Sequence, residues 1–423
     1  MRERVLLVGI VNSFQPKLEV DEHLKELKQL IITLEYEVAS TFIVNQRQIQ
    51  PSSLIGKGKI NEIKNSLSLL NIGEVIFDDD LSPTQVRNLR RILEVEVRDR
   101  TGIILEIFAN HAQTREAKTQ IELATLQYLL PRLTGRWTHL ERQIGGISVR
   151  GGAGETQIEI DRRLTRARIS KLKKDLRKID KERAVQQKRR NTFFKAALVG
   201  YTNTGKSTLM NVFTGSSIPV ENKLFATLDT TVRIYRIDKY HDLLLSDTIG
   251  FIRKLPHHLI ASFRSTLSEV KDADLIIKVA DISSSQCLNQ LKAVDEVLIQ
   301  LDAYNKPSIV VFNKIDIMEN RILKQAKRDY PDAVFLSALN RLRIGELRRA
   351  ILKALEKEEI QLKSKVPVND IKGLAVLRDN ARILSENYSN GKVDIEFSVY
   401  RKVWPWLKSR LYQNVEFELI NKA

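Results

Sequence analysis

The sequence predicts an α/β multidomain protein. It comprises a small N-terminal α/β domain over 1–110, a helical hairpin linker over 111–192, a doubly wound domain over 193–358 and a small α+β C-terminal domain over 359–423. Three observations carry this. At 423 residues the chain exceeds what one hydrophobic core organises and suits roughly two to four domains. Strand-like apolar runs alternate with segments of helical periodicity, which is the signature of parallel βαβ units. The run GYTNTGKS, Gly200 to Ser207, directly follows the apolar Ala196 to Val199 and is followed by Thr208, Leu209, Met210 and Val212. That order reads as strand, glycine turn and helix.

In the N-terminal domain, Arg4 to Ile10 reads as a strand and Leu24, Leu27, Leu30, Ile31 and Leu34 line one face of a helix. Val38 to Val44, Glu74 to Phe77 and Ile103 to Phe108 are expected to complete a mostly parallel sheet. Gly56-Lys57-Gly58-Lys59 and Asp78-Asp79-Asp80 sit where ligands often meet such a sheet. Composition favours a tight turn for the first and a solvated strand end for the second.

The linker holds two helix-like stretches around a loop. Thr114 to Leu130 is the first, and Arg162 to Arg190 is the second. In the second, Ile169, Leu172, Leu176 and Ile179 make one narrow apolar seam, and only Asp175, Asp180 and Glu182 oppose a crowd of lysines and arginines. The loop TGRWTHLERQIGGISVRGGAGET, Thr134 to Thr156, cannot build a core. Arg136, Arg142 and Arg150 can fork onto phosphates, Trp137 and His139 offer stacking faces, and the glycines let backbone approach RNA closely.

The third domain carries the chemistry. In Gly200-Tyr201-Thr202-Asn203-Thr204-Gly205-Lys206-Ser207, backbone N–H groups of a glycine turn point at a nucleotide's phosphates at a helix N-terminus. Lys206 neutralises the outer phosphates and the Ser207 hydroxyl ligates magnesium. After the strand-like Ser308 to Phe312 comes Asn313-Lys314-Ile315-Asp316. The Asp316 carboxylate can accept from both donors on the guanine edge, whereas adenine would leave it facing an acceptor. The strand Ala333 to Leu336 ends in Ser337-Ala338-Leu339, whose backbone can meet the base oxygen. Between these motifs, Leu243 to Ser246 leads into Asp247-Thr248-Ile249-Gly250, with Asp247 for a magnesium-bound water and the Gly250 amide for a γ-phosphate. The loop Phe225-Ala226-Thr227-Leu228-Asp229-Thr230-Thr231 offers three threonines for a second magnesium-ligating hydroxyl. Together these motifs make the domain a P-loop GTPase domain with a Ras-like sheet. Phe251 stands where many GTPases place a water-orienting glutamine, so no catalytic side chain is assigned and turnover is expected to depend on a partner.

Beyond Leu355 a charged linker is expected, then a helix around Leu374 to Leu384 and strands near Val393 to Tyr400 and Val415 to Ile420, with Trp404-Pro405-Trp406 in packing roles. Net charge is +17, which points to a polyanionic partner. The single cysteine, Cys287, excludes an intramolecular disulfide framework and a cysteine metal cluster. The charged, strand-like start and the lack of a long apolar run lead to an expectation of a cytoplasmic protein, with membrane association at most loose.

DTIGFIRKLPHHLIASFRSTLSE from Asp247, LFATLDTT from Leu224 and GRWTHLERQIGGISVRGGAGETQIEIDRR from Gly135 together resemble the HflX family of ribosome-associated GTPases, across essentially the whole chain. The resemblance implies a GTPase that binds the large ribosomal subunit and its RNA, reaches toward the peptidyl transferase centre with the linker, and splits stalled ribosomes under stress. The alternative that shares every motif is a GTP-regulated RNA-binding factor in ribosome assembly or RNA processing, and a monomer is expected. It also implies magnesium on Ser207 and Thr227, with Thr227 chosen among the three threonines. Asn203 resembles the P-loop asparagine of potassium-using GTPases. Leu228-Asp229-Thr230-Thr231 lacks a proline that many members carry, which bears only on local stiffness.

Overall fold

A computed structural model describes residues 3–13, 15–46, 48–133, 157–188, 193–215, 224–225, 230–239, 241–254, 267–389, 391–411 and 417–421. The chain divides into two compact units. One is Met1–Asp180 with Glu221–Asp229 and Lys254–Arg264; the other is Lys181–Val220, Thr230–Arg253 and Ser265–Ala423.

In the first unit the order is β1 (Arg4–Val11), α1 (Lys17–Thr33), β2 (Glu37–Asn45), α2 (Lys57–Leu70), β3 (Glu74–Phe77), α3 (Pro83–Leu93), β4 (Glu96–Asp99), α4 (Arg100–His111), α5 (Arg115–Leu129) and α6 (Gln157–Lys188), of which the residues from Lys181 on are counted with the other unit. The four strands form a parallel sheet ordered β2-β1-β3-β4. Leu6, Val8 and Ile10 of β1, Val75 and Phe77 of β3 and Ile60, Ile63 and Val86 of the covering helices bury one face.

Two expectations for this unit are corrected. The apolar run Ile103 to Phe108 is helical, because the Asp99 side chain accepts from the Gly102 amide at 3.0 Å and starts α4 with no intervening loop. Its apolar residues are buried on nearly every side, so neither period is visible in the sequence. The acidic strand end is not solvated at its first position. Asp78 is buried, paired with the equally buried Arg100 at 2.8 Å, and Arg100 also meets Glu26 at 2.6 Å. Gly56 caps the N-terminus of α2, leaving Lys57 and Lys59 exposed on its first turn.

The second unit runs β5 (Phe194–Gly200), α7 (Lys206–Thr214), β6 (Thr231–Arg236), β7 (Asp242–Asp247), α8 (Ser268–Asp272), β8 (Leu275–Asp281), α9 (Cys287–Gln300), β9 (Ser308–Asn313), α10 (Asn320–Asp329), β10 (Val334–Phe335) and α11 (Ile344–Glu356). Its six-stranded sheet is ordered β10-β9-β8-β5-β7-β6, parallel except for β6 on β7. This is the doubly wound arrangement, and β5 occupies the interior, so the turn leaving it opens at the carboxyl edge where ligands bind. Cys287 is buried at the start of α9, where burial foremost pushes its thiol up to about 12.

The chain then forms an antiparallel sheet ordered β12-β13-β11-β14, from β11 (Glu359–Pro367), β12 (Arg382–Ser389), β13 (Lys392–Tyr400) and β14 (Phe417–Asn421), with α12 (Ile371–Asn380) and α13 (Trp404–Lys408). The expected charged linker is instead β11, an interior strand. Its burial alternates over Ile360, Leu362, Ser364 and Val366, with Lys363 and Lys365 facing out to Glu396 and Asp394. Charge on alternate residues hid the strand. The helix read through Leu384 ends at Asn380, and Arg382 onward is β12. Trp404 does pack, 4.8 Å from the Phe417 ring. One buried cluster runs from Leu198 and Leu245 through Leu355 to Ile395 and Phe397, so both sheets of this unit share a core.

Candidate functional site

The site assembles at the carboxyl edge of β5, β7, β8 and β9. Gly200 ends β5 and Asp247 ends β7, where Asp247 lies opposite Leu198 in the parallel register. The turn between them and α7 is held by side chains that act as clips. Asn313 donates from its amide nitrogen to the Thr204 carbonyl at 2.8 Å and accepts from the Ala338 amide at 2.9 Å, so one buried side chain joins the glycine turn, the end of β9 and the 337–339 loop. Gly205 is in the left-handed region at φ +92°, and a Cβ there would collide with that Asn313 amide, so glycine is required twice over.

Lys206 is buried, and its ammonium donates to the carbonyls of Gly200 at 3.1 Å and Tyr201 at 2.8 Å. Burial depresses its pKa from 10.5 to about 8, with Asp247 opposing the shift. A buried ammonium whose protein partners are two neutral carbonyls is poised to gain from an incoming phosphate. The Ser207 hydroxyl donates to Asp247 at 2.6 Å. A hydroxyl and a buried carboxylate at this separation are hard oxygen donors suited to Mg²⁺. Among the described residues there is no cluster of three acidic, histidine or cysteine side chains for an all-protein metal cage. A magnesium ion that takes its remaining ligands from water and phosphate fits such a donor set. Thr248 is fully buried and its hydroxyl is spent on the Leu198 carbonyl at 2.7 Å, so it serves the sheet.

Gly250 lies against the turn, since a Cβ built on it would stand 2.8 Å from Thr202 and 3.1 Å from the Lys206 ammonium. The following residue is stapled to the turn by backbone: Phe251 donates to the Gly200 carbonyl at 3.0 Å and Thr202 donates to the Phe251 carbonyl at 2.8 Å. The Phe251 ring is buried and carries no polar atom with which to orient a water. Asn203 adopts φ +59° and is exposed at the turn's tip.

On the far side of the site, Lys314 adopts φ +67° and its ammonium pairs with Asp281 at 2.7 Å. Ile315 is half-buried, the Asp316 side chain is exposed, Ser337 and Ala338 are buried, and Leu339 is 79% exposed at the rim. Asp281 was not singled out in the sequence. It ends β8 at the carboxyl edge, accepts from the Ser283 amide and hydroxyl, and holds Lys314, and its signal was an aspartate closing an apolar strand.

Phe225 falls in the first unit, buried with its ring 4.6 Å from Phe108. Ala226, Thr227, Leu228 and Asp229 lie outside the described residues. Of the competing threonines, Thr231 starts β6 directly opposite Asp247.

A second feature is the α5–α6 pair in the first unit. Leu172, Leu123 and Leu126 form its buried seam, flanked by Ile169 and Leu176, and Arg168 pairs bidentately with Glu122 at 2.5 and 2.8 Å. Away from the seam, Arg162, Arg166, Lys171, Lys173, Lys174, Arg177, Lys178 and Lys181 are all exposed. Arg136, Trp137, Arg142 and Arg150 lie outside the described residues.

Comparison with known proteins matches family models described as GTP-binding GTPase N-terminal over 21–109, GTP-binding GTPase Middle Region over 111–190 and 50S ribosome-binding GTPase over 195–314. The GTPase HflX of Flavobacterium psychrophilum is 44% identical over 380 residues, covering 85% of this chain and 92% of that protein. The GTPase HflX of Escherichia coli is 40% identical over 353 residues, covering 82% of each. A GTP-binding protein from the archaeon Sulfolobus solfataricus, solved with GDP, is 27% identical with a TM-score of 0.42, covering 84% of this chain and 98% of that one.

Proposed function

Because the chain belongs to the HflX family of GTPases, we propose that it is a ribosome-directed switch, in which GTP binding sets a conformation that grips the large ribosomal subunit and opposes subunit joining. The chain hydrolyses GTP to GDP and phosphate, and in this reading that reaction releases the grip and is stimulated by ribosomal particles. Stalled ribosomes are its target and splitting them its outcome.

In this reading GTP lies along Gly200 to Ser207, with its base on Asn313 to Asp316 and Ser337 to Leu339 and its γ-phosphate beside Asp247 to Gly250. Phe225 to Asp229 are assigned to nucleotide binding as the family resemblance implies. Magnesium is held by Ser207 and Thr227 and supplies charge neutralisation on the phosphates, and Asn203 is the residue placed to take a potassium ion. The protein acts as a monomer in the cytoplasm; no described helix is long and apolar enough to cross a membrane. The four-part division at 110/111, 192/193 and 358/359 assigns nucleotide to the third part and RNA to the second.

The observation that carries the RNA assignment is the exposed cationic face of α6, backed by a seam that leaves its lysines and arginines outward. Such a face binds phosphate backbones, while Arg136, Trp137, Arg142 and Arg150 beyond it are assigned to RNA contact. Sedimentation of intact 70S particles with the protein and a non-hydrolysable GTP analogue tests the proposal. Free subunits are the expected product, made in lower yield by the Arg136, Arg142 and Arg150 triple alanine variant. Binding confined to immature particles, or splitting that ignores the nucleotide, would refute it.

A further inference from the structure

Within the second unit, one polar group at the phosphate end of the site has no structural employment. Thr202, third in the glycine turn, is 6% exposed, and its Oγ1 is buried without a hydrogen-bond partner. Its neighbours are accounted for. The Thr204 hydroxyl donates to the Tyr201 carbonyl at 3.0 Å, and the Tyr201 hydroxyl accepts from the Arg253 amide at 2.7 Å. A buried hydroxyl with nothing to bond costs free energy that a valine of the same shape would avoid. The residue also occupies a particular place. Its Cα and Cγ2 are the atoms a Cβ on Gly250 would strike at 2.8 Å, beside the Lys206 ammonium, and its amide is fixed to the Phe251 carbonyl at 2.8 Å. The backbone staple to Phe251 therefore seats Thr202 against Gly250 through its Cα and methyl, with the hydroxyl on the same β-carbon left unbonded.

We propose that Thr202 is a positioning residue for hydrolysis, whose hydroxyl bonds the γ-phosphoryl group and the attacking water in place of the glutamine that Phe251 replaces. A hydroxyl donates once and accepts twice, so one group can donate to a γ-phosphoryl oxygen and accept from the water. The water oxygen forms the new bond to γ-phosphorus, the bond from γ-phosphorus to the bridging oxygen breaks with its electron pair leaving on GDP, and the water's proton ends on inorganic phosphate. Thr202 keeps its own proton throughout. This rests on the P-loop reading of the nucleotide site.

The test compares Thr202→Val and Thr202→Ser in the full-length protein, measuring single-turnover GTP hydrolysis, GDP and GTP-analogue affinity, and melting without nucleotide. Thr202→Val is expected to slow hydrolysis roughly tenfold to a hundredfold, the scale on which one positioned proton-handling group acts. GDP affinity should stay within about twofold to threefold and the melting temperature should hold or rise, because an orphaned hydroxyl has been removed. Thr202→Ser should recover most of the rate. Full hydrolysis by Thr202→Val, or a loss of GDP affinity that tracks the loss of rate, would overturn the assignment. Normal GTP binding by a Lys206→Ala control would instead overturn the P-loop site itself, and the Thr202 role with it.

Discussion

Truncating Asn313 to alanine should weaken GTP and GDP binding by the same factor, because this side chain builds the pocket and touches neither distinguishing phosphate. Asn313 is 3% exposed and makes two hydrogen bonds, to the Thr204 carbonyl at 2.8 Å and from the Ala338 amide at 2.9 Å. Each is a neutral bond worth about 1 kcal/mol net, and each truncation strands a buried backbone group at about 1–3 kcal/mol. The summed penalty is about 2–4 kcal/mol once water fills part of the gap. The part that falls on the turn's geometry, about 1.4–2.8 kcal/mol, is roughly tenfold to a hundredfold in affinity. Titration with fluorescent GDP and a fluorescent non-hydrolysable GTP analogue reads both affinities, and a thermal melt reads the remainder as lost stability. Asn313→Asp refines the test, since it keeps the acceptor for Ala338 but sets a carboxylate against the Thr204 carbonyl. It should bind no better than Asn313→Ala. Unchanged affinity in both variants, or a loss confined to the GTP analogue, would refute the reasoning.

Three further outcomes follow from the same geometry. Asp316→Asn should lose on the order of a hundredfold in GTP affinity, as charge-assisted bonds to guanine are lost, and gain xanthosine nucleotides, measured by competition binding. Because Lys206 is held near about 8 when no phosphate is bound, nucleotide binding should take up a proton above that pH. Calorimetry in buffers of different ionisation enthalpy should detect the uptake, with affinity falling by at most about one decade per pH unit. Burial works to lower the pKa of His241, but its hydrogen bonds to Glu359 at 2.9 Å and Asp238 at 2.8 Å raise it above 6.5. Its contribution to stability is therefore complete below an unfolded value of about 6.5 and fades as pH rises through the folded value. Melting followed by tryptophan fluorescence should show that decline, and His241→Gln should flatten it.

Legibility differed between elements for physical reasons. β1, β3 and the edges of the glycine turn were readable because each is short, apolar and bounded by its own chemistry. α4 was missed because nearly every residue from Ile103 to Phe108 is buried, which erases the difference between a period of 2 and one of 3.6. β11 was missed for the opposite reason, since its outward lysines and its glutamate gave it a linker's composition while Glu359 is largely buried on His241 and the inward apolar positions closed a core. Asp78 looked like a solvated acid until Arg100, on the next helix but one, was seen to neutralise it. In the site, motif spacing named the glycine turn, Asp247 and Asp316. It gave no hint that Asn313 spends its side chain on two loops or that Asp281 secures Lys314.

By itself the sequence pointed to the GTPase chemistry that the family shares, and it raised the expectation of phosphates at a helix start, guanine at an aspartate and a polyanion facing a row of cations. Those depend on residue type at fixed spacing along one chain, which a linear reading can see. Only the tertiary structure decided which groups are already spent and which remain in hand. The Phe251 ring is buried, Thr248 is bound to a carbonyl, and Thr202, packed through its Cα and methyl on Gly250, keeps a buried hydroxyl without a bond. Availability depends on burial and on partners brought in from distant strands, and neither is written in spacing.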